Sequence, residues 1–335
     1  MTTKELTQVE ILIELESVVE VELSRHLAHA REWMPHEYVP WSEGRNYDGP
    51  LGGDSWRPEQ SKVEPAVATA LAVNLLTEDN LPSYHFEIAT LFGRDRAWGT
   101  WVHRWTAEEG RHGQAIRDYL LVTRACDPVA LERERMVHMS NGFENIHAPD
   151  AIATIAYVAF QELATRVSHR NVGKATADPV GEALFARIAT DENLHMVFYR
   201  RLVEAALELE PDATMRAIAD VVRTFQMPGY DLPGFQRKAL DIALAGIYDI
   251  RQHRDNVVLP VLRFWNVWER DFGPEGQKAR EELDVMLTEL DITAARFVER
   301  RESGSARRGR PPEPDAALGD VPTEAAARLD VPYCR

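Results

Sequence analysis

The strongest constraint on the fold is a short pattern that occurs twice, in which two acidic residues precede a histidine. Residues 108–112 read Glu-Glu-Gly-Arg-His, and residues 191–195 read Asp-Glu-Asn-Leu-His, 83 positions further along. On an α-helix, a glutamate and a histidine three positions apart lie on one face. Two such helices facing each other would supply four oxygen and nitrogen ligands, a set that suits a pair of iron or manganese ions.

Two further glutamates have the spacing that such a site requires. Glu78 precedes Glu109 by 31 residues, Glu162 precedes Glu192 by 30, and 53 residues separate Glu109 from Glu162. An interval near 30 is typical of one helix, a turn and an antiparallel neighbour, and the longer interval leaves room for a crossover. Di-metal bundles combine two Glu-x-x-His helices with one carboxylate from each of two further helices. We therefore predict an all-α, ferritin-like four-helix bundle with additional helices.

A third Glu-x-x-His sequence, from Glu144 to His147, is expected to lie outside the site. It stands between Asn141-Gly142 and Ala148-Pro149, and such pairs indicate turns rather than a helix. The spacing also arises by chance on charged helix faces. The prediction of a metal site therefore depends on Glu78 and Glu162 as much as on the repeated pattern.

Composition narrows the class of protein. The chain has 335 residues, of which 44% are hydrophobic, so it can bury a large core in one domain or two. Its formal net charge of −16 argues against nucleic-acid binding. Only Cys126 and Cys334 are present, which indicates no disulfide framework and favours a reducing cytoplasm. We expect neither a signal peptide nor a membrane-spanning segment.

The spacing of apolar residues predicts helices along almost the whole chain, without convincing strands. A loop with four prolines is expected over 34–60. Asp212 is predicted to cap a helix that stops before Pro228. A tail over 303–335, which contains the basic cluster Arg307, Arg308 and Arg310, is predicted to be disordered, and 1–302 to form one domain. The other helices are predicted near 4–31, 64–93, 95–124, 128–140, 149–174, 178–208, 234–248, 256–269 and 274–302.

From about residue 10 to residue 300 the sequence resembles the soluble acyl-acyl-carrier-protein desaturases, and is most similar to their actinobacterial branch. Four segments carry this resemblance. Residues 77–84 read Thr-Glu-Asp-Asn-Leu-Pro-Ser-Tyr, and residues 105–113 read Trp-Thr-Ala-Glu-Glu-Gly-Arg-His-Gly. Residues 160–165 read Phe-Gln-Glu-Leu-Ala-Thr, and the last segment is 191–195. The resemblance implies iron ligands at the positions that spacing had selected: Glu78, Glu109, His112, Glu162, Glu192 and His195.

The resemblance also implies an activity and its partners. Proteins of this family insert a cis double bond into a fatty acyl chain held by acyl carrier protein. They use a di-iron centre, O₂ and reduced ferredoxin, and they are homodimers. No apolar run here spans a membrane, so a soluble carrier would deliver the acyl chain. Because carrier proteins and ferredoxins are acidic, docking would need local basic patches, for which Arg25, Arg31, Arg237 and Lys238 are candidates.

Five residues are candidates for support or catalysis near the metals. Asp191 and Glu108 each precede a ligand glutamate, so each can accept a hydrogen bond from an imidazole on a neighbouring helix. Thr165 shares a helix face with Glu162, and by resemblance it hydrogen-bonds oxygen species. Trp105 and Trp33 are by resemblance an electron relay. The residues alone leave open an ordinary helix threonine and core tryptophans.

An apolar slot between helices must bring the acyl chain to the metals. By resemblance, the slot-lining positions are Thr90, Leu91, Thr154 and Ile155, whereas their character alone would indicate core packing. The length of the accepted chain and the position of the bond depend on the depth of this slot.

Three other functions remain open from the sequence. A ribonucleotide reductase small subunit needs a radical tyrosine after the first Glu-x-x-His, but one turn beyond His112 stands Ile116, and Tyr199 follows the other motif. Iron storage of the ferritin type would not require the loop and the extra helices. A catalytically silent homologue that only binds a carrier protein is the third alternative, beside other ferritin-like di-iron oxidases.

Overall fold

The computed structural model describes residues 6–227, 229–230, 232 and 234–308, and these residues are predominantly α-helical. Within them the sole β-type pairing is an isolated bridge between Tyr47 and Asp54. The predicted all-α class is therefore confirmed. The helices are α1 Gln8–His29, α2 Pro65–Asp79, α3 Leu81–Phe92, α4 Arg96–Val122, α5 Pro128–Asn141, α6 Ala151–Ala175, α7 Pro179–Leu209, α8 Pro211–Thr224, α9 Phe235–Leu244, α10 Ile250–Gln252, α11 Leu259–Phe264 and α12 Pro274–Arg308.

Helices α2, α4, α6 and α7 form the predicted ferritin-like bundle. Helix α2 packs on α4 and α6 packs on α7, while contacts of α4 with α7 and of α2 with α6 close the ring. Helix α5 and the loop after it lie in the long interval between the two hairpins. Helix α1 lies against α4 and α7, and α12 lies against α8. The two Glu-x-x-His motifs thus stand on neighbouring helices of one bundle.

Side chains that precede the helices fix where they begin. Thr7 accepts a hydrogen bond from the backbone of Glu10 at 3.2 Å, and the Glu10 side chain accepts one from the backbone of Thr7 at 2.8 Å. This reciprocal pair satisfies two backbone donors at the start of α1. Asp150 and Asp178 cap α6 and α7 without a reciprocal bond. Asp150 accepts from the backbone N–H of Ala153, and Asp178 accepts from those of Val180 and Gly181.

Several predicted boundaries were wrong. The helix predicted over 64–93 is interrupted at Asn80, because Pro82 has no N–H to donate to the carbonyl of Glu78. Asp212 does not cap α8 but lies in its first turn, where it accepts a hydrogen bond from the backbone of Gly273 at 2.7 Å.

The C-terminal predictions also need correction. The helix predicted over 234–248 ends at Leu244, and the one predicted over 256–269 is replaced by α10, a π-helical turn over His253–Val258 and α11. Helix α12, predicted over 274–302, continues to Arg308, and the division into a domain over 1–302 and a tail stays a prediction. The rest of the predicted tail, 309–335 with Arg310, lies outside the described residues. None of the helices in the described part combines the length and the apolar character needed to cross a membrane.

Candidate metal centre

The six predicted ligand residues meet in the interior of the bundle. Each is nearly inaccessible to solvent, with exposed fractions between 0 and 7%. Their ligating atoms form two groups that are each compact enough to hold a metal ion. One group is Glu78, Glu109, His112 and Glu192, and the other is Glu109, Glu162, Glu192 and His195. Glu109 and Glu192 belong to both groups, so they lie where carboxylates could bridge two ions.

Distances divide the site into two halves. Nδ1 of His112 lies 3.3 Å from Glu109, 3.2 Å from Glu192 and 3.8 Å from Glu78. Nδ1 of His195 lies 2.7 Å from Glu109 and 3.6 Å from Glu162. Each half therefore contains one imidazole and one terminal carboxylate, and the two shared carboxylates lie between the halves.

A glycine permits the close approach of α2 to α4 at this level. A Cβ added to Gly113 would stand 3.2 Å from an Asp79 carboxylate oxygen and 3.5 Å from the Cβ of Glu78. The first separation is tight for a side-chain carbon, and the second is ordinary van der Waals contact. Gly113, which directly follows His112, thus allows Glu78 to reach the same interior as His112.

Unsatisfied atoms in the interior fit the binding of cations. Nδ1 of each histidine and one oxygen of Glu109, Glu162 and Glu192 are buried and make no hydrogen bond to any described residue. Buried polar atoms in proteins are normally paired, so such a cluster needs an explanation. Four carboxylates and two imidazoles form a donor set that suits divalent iron or manganese.

The charges of the metal-free cluster compensate one another. Burial alone would lower the pKa of His112 and His195, but Glu109 and other neighbouring carboxylates raise both pKa values well above the usual range. Burial, Glu109 and Glu192 raise the pKa of Glu162 well above its usual range. Burial also acts to raise the pKa of Glu78, but the nearby imidazole of His112 and the hydrogen bond from His169 lower it overall.

These pKa shifts predict that metal binding releases protons. Because the pKa values of His112, His195 and Glu162 are all raised in the metal-free chain, a metal ion that binds these groups must displace the protons they carry. We expect protons to be released on Fe(II) loading, and the affinity to fall as pH decreases. Anaerobic calorimetry in buffers with different ionisation enthalpies measures this release. Loading without proton release, or tighter binding at lower pH, would contradict the prediction.

Each histidine is supported by a carboxylate on the opposite helix. Nε2 of His195 on α7 donates to Glu108 on α4 at 2.9 Å. Nε2 of His112 on α4 lies 3.4 Å from Asp191 on α7. His26 and Arg104 also contact Glu108. Burial opposes ionisation of Glu108 and Asp191, but these contacts keep the pKa of both carboxyl groups far below the usual range. The two supports are therefore crossed between α4 and α7.

The remaining candidates from the sequence lie around the cluster. Nε1 of Trp33 donates to Asp191 at 2.7 Å, which places this tryptophan one residue away from His112. Nε1 of Trp105 donates to Glu162 at 3.0 Å. The hydroxyl of Thr165 donates to Glu192 at 2.8 Å. All three side chains thus contact a ligand or its support, whereas their roles in electron transfer and oxygen binding remain predictions.

Sequence reasoning missed two histidines. Nε2 of His169 on α6 donates to Glu78 at 2.8 Å, and its Nδ1 lies 3.1 Å from the amide of Asn74. His169 stands seven positions after Glu162, so helical period alone could have identified it. His26 on α1 contacts Glu108, and no local pattern connects these two residues in the sequence.

A cavity leads to the cluster between α3, α4 and α6. Its wall contains the two candidate ligands Glu78 and Glu109, and Trp105. The other lining side chains are predominantly apolar or aromatic, among them Leu81, Tyr84, Ile88, Phe143, Tyr157 and Val158. Such a wall suits a hydrocarbon chain that must come close to the metal site.

The predicted slot residues are distributed unevenly around this cavity. Thr154 lines it. Ile155 is buried in the adjacent core, Leu91 is half-buried against that core, and Thr90 is exposed. Only Thr154 of these four residues lies in the wall of the cavity within the described part of the chain, and the slot role of the others remains a prediction.

The third Glu-x-x-His sequence lies away from the centre, as expected. Glu144 is exposed in the loop between α5 and α6, and His147 packs against Tyr157 with ring centroids 5.3 Å apart. In the described residues neither belongs to a group that could hold a metal ion.

Most of the candidate docking cations already have partners within the chain. Arg25 pairs with Glu22, Arg237 with Asp241 and Lys238 with Glu134. Arg31 is exposed. Their part in docking remains a prediction, because an intramolecular ion pair must loosen before its cation can serve a partner.

Comparison with known proteins agrees with this geometry. The profile of the family described as fatty acid desaturase matches residues 7–310. DesA1 of Mycobacterium tuberculosis, described as an acyl-acyl-carrier-protein desaturase, is 51% identical over 300 residues, covering 87% of this chain and 88% of its own. The chloroplastic acyl-acyl-carrier-protein desaturase 7 of Oryza sativa is 33% identical over 296 residues, covering 82% of this chain and 73% of its own.

A solved structure shows the same architecture. The X-ray structure of DesA2 from Mycobacterium tuberculosis, described as an acyl-acyl-carrier-protein desaturase, matches with a TM-score of 0.66 and 32% identity. The match covers 80% of this chain and 98% of that chain. The buried cluster, the cavity beside it and these similarities lead to one assignment. The chain belongs to the fatty acid desaturase family, in the group of acyl-acyl-carrier-protein desaturases that includes these actinobacterial proteins.

Proposed function

We propose that this protein desaturates a fatty acyl chain bound to acyl carrier protein, using a di-iron centre and O₂. The observation that carries the proposal is the pair of overlapping ligand groups, which share Glu109 and Glu192, beside a cavity whose wall includes Glu78 and Glu109. The relatives are described as acting on acyl-acyl-carrier protein, and we extend that substrate to this chain.

The reaction removes two hydrogen atoms from adjacent methylene carbons and forms a cis carbon–carbon double bond. One O₂ accepts these two hydrogens together with two electrons and two protons, and two water molecules are formed. No side chain is a strong enough oxidant for an unactivated methylene, so two bound iron ions would supply the activation of O₂. Reduced ferredoxin is the proposed source of the two electrons.

The residues of the chain have distinct parts in this proposal. The ligands would be Glu78, Glu109, His112, Glu162, Glu192 and His195, with Glu109 and Glu192 between the two ions. Thr165 donates to one oxygen of Glu192, and its proposed hydrogen bond to oxygen species rests on the resemblance to the family. The apolar cavity wall excludes water from the acyl chain and holds it beside Glu78 and Glu109.

We propose that electrons reach the metal site through Trp33. Nε1 of Trp33 donates to Asp191, which also faces His112, so hydrogen-bonded groups connect this indole with a proposed ligand. Trp105 donates to Glu162 and forms part of the cavity wall, so it would serve both the electron path and the substrate slot. We place the reaction in the cytoplasm, with acyl carrier protein and ferredoxin as partners.

A reconstituted assay tests the reaction. The iron-loaded protein is incubated with acyl-carrier proteins of several chain lengths, ferredoxin, its reductase, NADPH and O₂, and the acyl product is analysed by mass spectrometry. We expect the loss of two hydrogen atoms, which requires both O₂ and ferredoxin. Iron binding with every acyl chain unchanged would indicate storage or another oxidase. Absence of the near-ultraviolet absorption of bound ferric iron would indicate a silent homologue.

A homodimer is the expected assembly of this chain. Obligate dimers bury large, predominantly apolar interfaces. Because the resemblance to the family implies such a dimer, sedimentation velocity at micromolar concentration should give the mass of two 38.0 kDa chains. A stable monomer at that concentration would contradict this prediction without affecting the proposed chemistry.

A further inference from the structure

The two halves of the candidate centre are supported by different groups from the N-terminal segment. His26 lies near the end of α1, and Trp33 follows shortly after that helix. Nε2 of His26 lies 2.9 Å from Oε2 of Glu108, which is the same oxygen that accepts from Nε2 of His195. Trp33 contacts Asp191, the support of His112. One stretch of chain thus reaches both histidines through their carboxylates.

The support of His195 has fewer partners than the support of His112. Asp191 contacts Trp33 at 2.7 Å and Arg111 at 2.9 Å, and it also pairs with Arg187. Besides His195, the polar contacts of Glu108 among the described residues are His26 and Arg104, and the side chain of Arg104 is 40% exposed. His26, which is only 4% exposed, is therefore the buried group besides His195 that keeps Glu108 in place.

The packing around His26 fixes its ring. Its ring stacks on that of His195 with centroids 5.7 Å apart and an interplanar angle of 24°. The edge of Trp101 meets it at a centroid distance of 5.0 Å. His26, Glu108 and His195 are also close enough to hold a metal ion. Because Arg104 already balances the charge of Glu108, a hydrogen-bonded chain explains the group without another ion.

We propose that His26 is a positioning residue for the metal centre. Its Nε2–H holds Glu108, and Glu108 in turn orients His195 so that Nδ1 points toward Glu109 and Glu162. The inference rests on the proposed di-iron centre. Partners of this kind orient a ligand imidazole, and their loss lowers metal affinity by about 10- to 100-fold. The effect should be confined to the half of the centre that contains His195.

Three substitutions at one position test the hydrogen bond. Glutamine places its amide nitrogen near the position of Nε2, whereas the shorter asparagine mimics Nδ1 and leucine has no donor. We expect His26→Gln to bind two Fe(II) ions as the unchanged chain does. His26→Leu and His26→Asn should bind one of the two ions about 10- to 100-fold more weakly. Anaerobic Fe(II) titration measures the affinities, and Mössbauer spectra show whether one iron environment changes.

Trp33→Phe is the matched control. It removes the donor to Asp191 but leaves Arg111 and Arg187 in place, so we expect both ions to bind with nearly unchanged affinity. If all three His26 variants bound both ions as tightly as the unchanged chain does, the inference about His26 would be overturned, and the proposed metal centre would stand. Equal weakening by glutamine and asparagine would also overturn it, because volume would then explain the effect. If the unchanged chain bound fewer than two ions, the proposed centre would fail, and this inference with it.

Discussion

Replacement of Glu109 by alanine should abolish double-bond formation while the protein remains folded. Glu109 belongs to both ligand groups and lies near Nδ1 of both histidines. Its loss therefore affects both proposed iron positions. We expect desaturation to fall by at least about a thousandfold, as is usual when one member of a catalytic unit is removed. Iron content per chain should fall as well, and both are measured on the purified variant.

The fold should tolerate Glu109→Ala because buried ligand carboxylates repel one another. Glu109 raises the pKa of Glu162, which means that its charge disfavours the ionisation of Glu162. Alanine is also the best helix former. We expect the metal-free variant to keep its circular dichroism, and its midpoint of thermal unfolding to stay near that of the metal-free parent. Outright unfolding would show that this carboxylate is structural.

Glu144→Ala is the control for this substitution. It removes a glutamate from the same three-residue spacing, but Glu144 is exposed in a loop. This variant should keep its iron and its activity. If it lost iron while Glu109→Ala retained it, the site would have been assigned to the wrong copies of the pattern.

A larger side chain at Val158 should block the substrate without disturbing the iron. Val158 is 5% exposed and lines the cavity together with Ile88 and Trp105. A phenylalanine there would occupy the space proposed for the acyl chain. Overpacking typically costs about 1–3 kcal/mol. A cost of this size borne by the bound substrate corresponds to a loss of about 5- to 150-fold in desaturation, since 1.4 kcal/mol is about tenfold.

The measurement for Val158→Phe combines activity with iron content. Activity should fall most for long acyl chains, while iron content and the near-ultraviolet absorption stay at the level of the unchanged chain. Val137→Phe is the matched control, because Val137 is 46% exposed on α5 and does not line the cavity. Full activity of Val158→Phe with every chain length would show that the acyl chain lies elsewhere.

The positions that converge in the bundle could be predicted because helix geometry converts spacing into direction. A glutamate and a histidine three apart share a face, and the interval between Glu78 and Glu109 matches a helical hairpin. The interruption at Asn80 was not predicted, although Pro82 marks it in the sequence, since a proline cannot continue the hydrogen bonding of α2. These features follow from local rules that hold before the helices pack.

The slot and the support of Glu108 could not be predicted in this way. Whether Thr90 or Ile88 faces the cavity depends on the rotation of α3 against α4 and α6, which tertiary packing sets after Asn80 interrupts the helix. His26 ends an apolar stripe that includes Ile11, Leu15 and Val19. From the sequence, a histidine in that position would be assigned to the hydrophobic core, because its partner Glu108 lies 82 residues away.

The crossed supports set the order in which this protein can mature. Glu108 on α4 holds the histidine of α7, and Asp191 on α7 faces the histidine of α4. Neither helical hairpin therefore carries a finished half-site during synthesis of the chain. Each ligand group also draws residues from both hairpins, so we expect iron capture to follow the docking of one hairpin on the other, in contrast to small zinc domains that fold around their metal. We therefore expect the bundle to assemble before iron binds, so that iron supply would limit the activation of this protein rather than its assembly.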